Sequence, residues 1–318
     1  MQKLYPLSKL IYPLFLSEVA VSATHAREPE KISSLLPSSH LSTSELVKEI
    51  SHLNKLGLAS FLIYPLSHKN QSLSEAEQMA RVLDADFFLF KALSTCTSSH
   101  PNSLFIVDLC TCHFLSSGQC GSGNSSQIDE TITLDFFRRM APLLAATGIH
   151  AICLSSMMDG VVTSVREALD NAGYCNTLLI SQSAKIHSGF YGPFQSLSGG
   201  LRSLDLKKSY QLSPANKDEM IRELALDCSE GADMAVLKPI SLSLDIVTEV
   251  RRRFSLPLLA YTTGGEFLML QESLPKQPRA RLLALNQYFT NFSEIGISAV
   301  ISYLALEYAQ LSTQITIK

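Results

Sequence analysis

The chain has 318 residues, 46% of them hydrophobic, which is ample for a large buried core and long enough for an α/β barrel with insertions. A formal net charge of −3 and a pI near 6.2 give no bulk attraction to nucleic acid or to an anionic membrane. Seven cysteines, an odd number and mostly scattered, suit a reducing compartment such as the cytoplasm, where thiols serve as small hydrophobes or metal ligands.

Taken in chain order, the first candidate element is the apolar run at 10–16. Lysines before it and small residues from Ser22 to Ala26 loosely imitate a secretory leader. The run is short, contains Pro13 and meets Glu18 almost at once, so it reads as a strand. No other run approaches the roughly 18 apolar residues of a membrane span. Residues 43–56 then show helical spacing, with Leu46, Val47, Ile50 and Leu53 on one stripe. Apolar, β-branched segments predict further strands at 59–64, 104–109, 149–154, 177–181, 233–238, 256–261 and 299–303. Helical spacing recurs between them at 134–146, 161–172, 217–230, 244–254 and 282–292. Gly173 and Gly231 fall just past two of these helices, where a left-handed residue is wanted.

Continuous apolar strands without alternation are those of a parallel sheet covered on both faces. Eight of them alternating with helices predict one closed TIM-type (β/α)8 barrel domain over 1–318. A doubly wound open sheet fits the alternation as well, but no Gly-x-Gly-x-x-Gly turn follows an early strand. A barrel carries its chemistry just beyond the C-terminal ends of its strands. The polar candidates fall there: Cys110, Asp159, Lys185, Lys238, the stretch 262–266 and Tyr303.

Three motifs carry the chemistry. The first is Asp108-Leu-Cys110-Thr-Cys112 followed by Cys120: three thiolates from one loop can take three corners of a tetrahedral zinc and leave the fourth for water or substrate. The second is Ser181-Gln-Ser-Ala-Lys185, followed by Gly189-Phe-Tyr-Gly-Pro-Phe194. The third is Glu230-Gly-Ala-Asp-Met234 leading to Lys238-Pro239. A lone lysine near a strand end is ordinarily a snorkelling surface group. Lys238, however, ends an apolar run at a poorly solvated barrel mouth, where desolvation and a second ammonium favour the neutral, nucleophilic amine. Two such lysines suggest two carbonyl substrates held together.

These residues resemble the porphobilinogen synthase (5-aminolevulinate dehydratase) family. The similarity runs in family order through Met157-Met-Asp-Gly160, Ser183-Ala-Lys185, Phe190-Tyr-Gly-Pro-Phe194, Pro214-Ala-Asn216, Lys238-Pro239 and Gly265-Glu266. It covers nearly the whole chain and is strongest from Met157 to Glu266. The resemblance implies a lyase of heme biosynthesis that condenses two molecules of 5-aminolevulinate to porphobilinogen with loss of two waters. Lys238 would form a Schiff base with the propionate-side substrate and Lys185 with the acetate-side one. Zinc would sit on Cys110, Cys112 and Cys120. Asp108 and Asp159 match acidic positions for proton transfer or lysine positioning, although a loop-closing carboxylate explains Asp159 equally well. Substrate carboxylates would be held by Gln195, Lys207 and Gln211 on one side, with Gly264 and Tyr303 on the other. Residues 186–207 would form a lid, and Glu223 matches the position of an allosteric magnesium in bacterial members. The family also implies a homo-oligomer, although the N-terminal arm that embraces a neighbouring barrel is short or missing.

The departures from the family fall on substrate contacts. Gln195 stands where the family has a carboxylate-gripping arginine, and an amide supplies neither the charge nor the bidentate fork; Arg202 is the candidate replacement. Gly264 replaces a serine, with Thr262 or Thr263 as substitutes, and Gln182 replaces a tyrosine. Two alternatives follow: a catalytically weakened barrel kept as a zinc-binding or interaction protein, and a class I aldolase for another keto acid. One lysine would suffice for the aldolase.

Overall fold

Strands buried on both faces need helices outside and their own side chains inside. That is the arrangement in the computed structural model, which describes residues 3–18, 40–67, 71–123, 127–193 and 210–315. The strands are β1 (Leu10–Ser17), a two-residue β2 (His40–Leu41), β3 (Ser60–Leu66), β4 (Leu104–Leu109), β5 (Ala151–Leu154), β6 (Leu178–Lys185), β7 (Met234–Lys238), β8 (Leu258–Thr262) and β9 (Ala299–Ser302). From β1 through β3 to β9 each strand pairs with the next, and all these pairings are parallel. β1 also pairs with β9, Leu10 opposite Val300, so eight strands close a barrel. β2 lies outside that ring, attached to the end of β1 at Phe15.

The helices are α1 (Thr43–Lys55), α2 (Glu75–Val82), α3 (Phe88–Ser99), α4 (Glu130–Ala145), α5 (Val161–Asn171), α6 (Lys217–Ser229), α7 (Leu244–Arg253), α8 (Gly264–Ser273), α9 (Pro278–Glu294) and α10 (Leu304–Gln314). The expected stripe on α1 buries Leu46, Ile50 and Leu53, and Ser42 opens the helix with a capping box to Glu45. Beyond α5 and α6, Gly173 and Gly231 take φ of 82° and 102°, the left-handed conformation their positions required. Among the described residues, no helix is long and apolar enough to cross a membrane.

Two differences from the expected elements matter. Four helices, α2, α3, α8 and α10, were not read from spacing, although Ser74 and Glu77 form a capping box ahead of α2. And β6 continues to Lys185, four residues past the predicted end, through the polar run Ser181-Gln-Ser-Ala, all of it buried. An apolar criterion ends a strand too early where the barrel interior is itself polar. Within that extension the register against β7 shifts: Ser181 faces Ala235, but Ala184 faces Leu237 and Lys185 faces Lys238.

A cavity of about 690 Å³, far larger than the space between the lysines, lies at the opposite, N-terminal end of the strands, lined by residues such as Ile106, Ile149, Ile180 and Leu259. It holds no lysine, cysteine or carboxylate, so size does not mark the chemistry here.

The N-terminal residues are tied to the far end of the chain by one buried amide. Asn286 Oδ1 accepts from the Tyr5 N–H at 2.7 Å and from the Tyr308 hydroxyl at 2.7 Å. Replacing Asn286 with alanine strands the Tyr5 N–H in the core and leaves the Tyr308 hydroxyl only the Tyr5 carbonyl at 3.3 Å, an expected cost of about 1–3 kcal/mol. Urea unfolding should show a lower midpoint, and an unchanged midpoint would mean that water replaces the amide.

Candidate active site

The site is assembled at the C-terminal ends of β4 to β8. Cys110 follows β4 directly, and a single 3-10 turn, Thr111–His113, carries Cys112. The loop then doubles back through Gly118, whose φ of 66° is the left-handed turn that brings Cys120 home. The Thr111 hydroxyl donates to the Gln119 carbonyl at 2.8 Å, and the Ser156 hydroxyl donates to the Cys120 carbonyl at 2.8 Å. As a result the Sγ atoms of Cys110, Cys112 and Cys120 all lie within 4.8 Å of one another. Three corners of a zinc–thiolate tetrahedron stand about 3.8 Å apart, so the trio fits a tetrahedral metal with little adjustment. All three thiols are buried. Burial, together with the two neighbouring sulfurs, pushes the Cys110 thiol well above its ordinary value. Charged sulfurs in this pocket therefore need a cation among them. The cysteine trio can bind a metal.

Lys185 and Lys238 end adjacent strands and face each other in register, which puts both side chains on the same face of the sheet. Both are buried, at 7% and 8% exposure, an unusual state for two ammonium groups. Lys185 Nζ donates to the Ser155 carbonyl at 2.6 Å. Lys238 Nζ stands 4.9 Å from the centre of the Tyr261 ring and 5.8 Å from that of Tyr191. Tyr191 also donates its hydroxyl to the Lys238 carbonyl at 3.0 Å. Both amines line one small space, about 40 Å³, with Asp108, Cys112, His113, Cys120, Ser155 and Gln211. That volume holds little more than a water, so substrate must move side chains aside to enter.

Their charges diverge. Burial, and next the Lys185 ammonium, pull Lys238 down to about 8. Lys185 moves up: burial opposes its charge, but Cys120, Cys110, Cys112 and Asp108 as anions outweigh it. That upward pull exists only while the sulfurs are charged, and a cation balancing them would weaken it.

Of the remaining expected residues, Asp108 sits in the lysine cavity, buried at the end of β4. One carboxylate oxygen accepts from the Ser155 hydroxyl, and the other meets His113 Nε2 at 2.6 Å. Gln211 is brought in as well. Gly264 lines a second hollow with Lys238, Tyr191, Tyr261 and Thr263. Thr262, offered as a substitute for the missing serine, turns instead to the Tyr288 hydroxyl, and Thr263 caps α8 against Glu266. Tyr303 is buried behind this hollow, its hydroxyl beside that of Tyr261. Asp159 is not brought to the lysines. It is exposed and lines a separate hollow with Glu219 and Glu223. Glu223 is raised there to about 7, first by burial and then by Asp227, Asp159, Glu219 and Glu230. Gln195, Arg202, Lys207 and most of the expected lid lie outside the described residues.

Sequence reasoning gave no part to His113, Ser155, Tyr64 and Tyr261, which the structure places around these two spaces, and left Tyr191 unassigned within its motif. Tyr64 and Tyr261 were visible only as strand-end tyrosines; their hydroxyls meet at 2.9 Å across the barrel.

The comparisons bear directly on this geometry. The family model for delta-aminolevulinic acid dehydratase matches residues 2–311. The chain belongs to that family. It is 33% identical over 304 residues to the delta-aminolevulinic acid dehydratase of Methanothermobacter thermautotrophicus, covering 95% of this chain and 89% of the relative. The Escherichia coli dehydratase is 31% identical over 304 residues, covering 96% and 90%. A crystal structure of the Toxoplasma gondii enzyme, also titled porphobilinogen synthase and holding its product porphobilinogen, matches with a TM-score of 0.83 and 31% identity. That match covers 99% of this chain and 89% of the other. The dehydratase fold and the closed barrel are one and the same here.

A dehydratase that works through a neutral amine should show its depressed lysine directly. With Lys238 near 8, the free-amine fraction at neutral pH exceeds that of an ordinary lysine by roughly two hundredfold. Borohydride trapping of a ketone on Lys238 should rise with pH and level off above about 8. In Lys185→Gln the neighbouring ammonium is gone, the Lys238 pKa rises, and the plateau should move to higher pH. A profile that climbs towards 10 in the unaltered protein would contradict the depressed amine.

Proposed function

We infer that the cavity condenses two molecules of 5-aminolevulinate to porphobilinogen with loss of two waters, and that Lys185 and Lys238 carry the two substrates as Schiff bases. The observation that carries this reading is the cross-strand pairing of the two buried lysines. Each neutral amine adds to a ketone carbon and expels the carbonyl oxygen as water, leaving a protonated imine. The iminium acidifies the adjacent carbon, so an enamine can form and attack the second substrate. Holding both partners on neighbouring strands removes most of the entropic cost of their encounter.

Each residue has a task in this scheme. Lys238, under the Tyr261 and Tyr191 rings, starts as the more nucleophilic amine because burial and Lys185 disfavour its charge. Asp108 holds the Ser155 turn to which Lys185 is anchored. Cys110, Cys112 and Cys120 would hold zinc, whose chemistry when bound is to polarise a substrate oxygen and lower the pKa of water. Gln211, with Gln195, Lys207 and Arg202, would receive the acetate-side carboxylate, and the Gly264 hollow with Tyr303 behind it the propionate side. Residues 186–207 would cover the mouth; within the described part, Tyr191 already lies on Lys238. A magnesium at Glu223, with Asp159 and Glu219 beside it, belongs to the same reading. So do a homo-oligomeric assembly and a cytoplasmic location.

The test is incubation with 5-aminolevulinate and borohydride followed by peptide mass mapping. Adducts on both Lys185 and Lys238, with porphobilinogen formed in the absence of reductant, are expected. Lys238→Ala should lower turnover by more than about 10⁴-fold, the scale of losing a preorganised intramolecular reaction. Adducts without product would leave the weakened-barrel reading standing, and no adduct would end the Schiff-base mechanism. Separately, replacing Cys110, Cys112 and Cys120 together with serine should abolish bound zinc by elemental analysis. Full zinc occupancy in that variant would relocate the metal.

A further inference from the structure

His113 is buried at 1% exposure on the turn between two of the clustered cysteines, yet it joins none of them in the metal cluster. Its Nε2 instead meets Asp108 Oδ2 at 2.6 Å. A carboxylate oxygen can only accept, so the imidazole carries its proton on Nε2 and donates it. The other oxygen, Oδ1, accepts from the Ser155 hydroxyl and, at 3.5 Å, from Gln182 Nε2. Ser155 in turn offers its carbonyl to Lys185 Nζ at 2.6 Å. A continuous chain of contacts therefore runs His113, Asp108, Ser155, Lys185. The Tyr64 ring packs edge-on against the imidazole at 5.8 Å and that of Phe114 at 6.0 Å, which fixes its plane.

Among the described residues, no comparable chain reaches the Lys238 amine. It is held between two tyrosine rings contributed by β8 and by the turn after β6. The two lysines thus have separate supports, one polar and one aromatic.

We propose that His113 is a positioning residue for the Lys185 half of the site, acting through Asp108 and Ser155 to set where the Lys185 amine stands. The inference rests on the proposed Schiff-base function. In a space of about 40 Å³, a carboxylate that loses one of its donors can rotate, and the Ser155 turn then moves with it. Lys185, whose amine is anchored to that turn from the end of β6, loses its aim, whereas Lys238 keeps its own.

The test compares three variants of the full, metal-loaded protein. His113→Gln keeps an N–H donor at the place of Nε2. His113→Leu fills similar volume with no donor, and His113→Asn puts its amide where Nδ1 was, out of reach of Asp108. Adducts with 5-aminolevulinate and borohydride are quantified separately on Lys185 and Lys238, beside kcat, KM and metal content. The unaltered protein must first give both adducts; if it gives none, the Schiff-base reading fails and the inference with it. Given both, His113→Leu and His113→Asn are expected to slow the Lys185 adduct about tenfold, the effect of one lost buried hydrogen bond. The Lys238 adduct and the metal should be unchanged, with kcat falling more than KM changes. His113→Gln should restore most of the Lys185 rate. Should His113→Leu fail to fold, the contrast between Asn and Gln decides alone. Equal slowing of both lysines, loss of metal, or no difference between Gln and Asn would overturn the proposal.

Discussion

Between Ser181 and Lys185, β6 accommodates one residue more than β7 does across the same interval. Without that extra residue, regular pairing would set Lys185 opposite Pro239 and Ala184 opposite Lys238. Neighbouring positions along a strand point to opposite faces, so the two amines would then be on opposite sides of the barrel wall. The bulge restores them to one face and one level. The proposed two-lysine chemistry depends on this shift, because two amines that do not share a cavity cannot hold two substrates in contact. It also explains why β6 carries buried serines and a glutamine where its neighbours carry aliphatic side chains: the irregular stretch leaves polar backbone and side chains that need partners inside the barrel. Ser181 and Ser183 supply one such link, at 3.0 Å between their hydroxyls.

Around that pair the site is organised by charge. The depressed Lys238 lies on the aromatic side, under Tyr191 and Tyr261; the sulfur cluster and Asp108 lie on the Lys185 side. Two buried lysines at such close quarters would repel if both were protonated, and the asymmetric surroundings choose which one yields its proton. The close packing of the turn after β6 keeps that asymmetry in place. A Cβ added to Gly265 would come within 2.7 Å of the Phe190 backbone, so the start of α8 and the turn carrying Tyr191 approach as closely as glycine permits.

Much of this was legible in the chain itself. Apolar runs such as 104–109 and 233–238 located strands correctly because strands buried on both faces leave no room for polar alternation. The cysteine spacing and the two lysine motifs each stood at a strand end, and the structure brings Cys112, Cys120, Lys185 and Lys238 to one space there. What escaped had physical reasons. α3 opens at Phe87 with no side-chain cap, so no start signal marks it. β6 was cut at Ser181 because a polar interior mimics a loop. Asp159, four residues beyond Ser155, follows the same strand but points to the acidic hollow of Glu223, and spacing alone does not say to which side a turn residue points. His113 belongs to none of the motifs; its contact with Asp108 arises because the 3-10 turn folds it back towards the strand end, a three-dimensional relation between residues five apart in sequence.

The shared cavity can be tested without relying on turnover. A short aliphatic diketone, long enough to span two neighbouring strands and no more, should condense at both ends when added with borohydride. Peptide mapping is then expected to show one species in which the Lys185 and Lys238 peptides are joined by a single reduced linker. If the diketone instead gives two independent single-ended adducts, at every linker length that one cavity could hold, the amines do not face each other and the account is wrong.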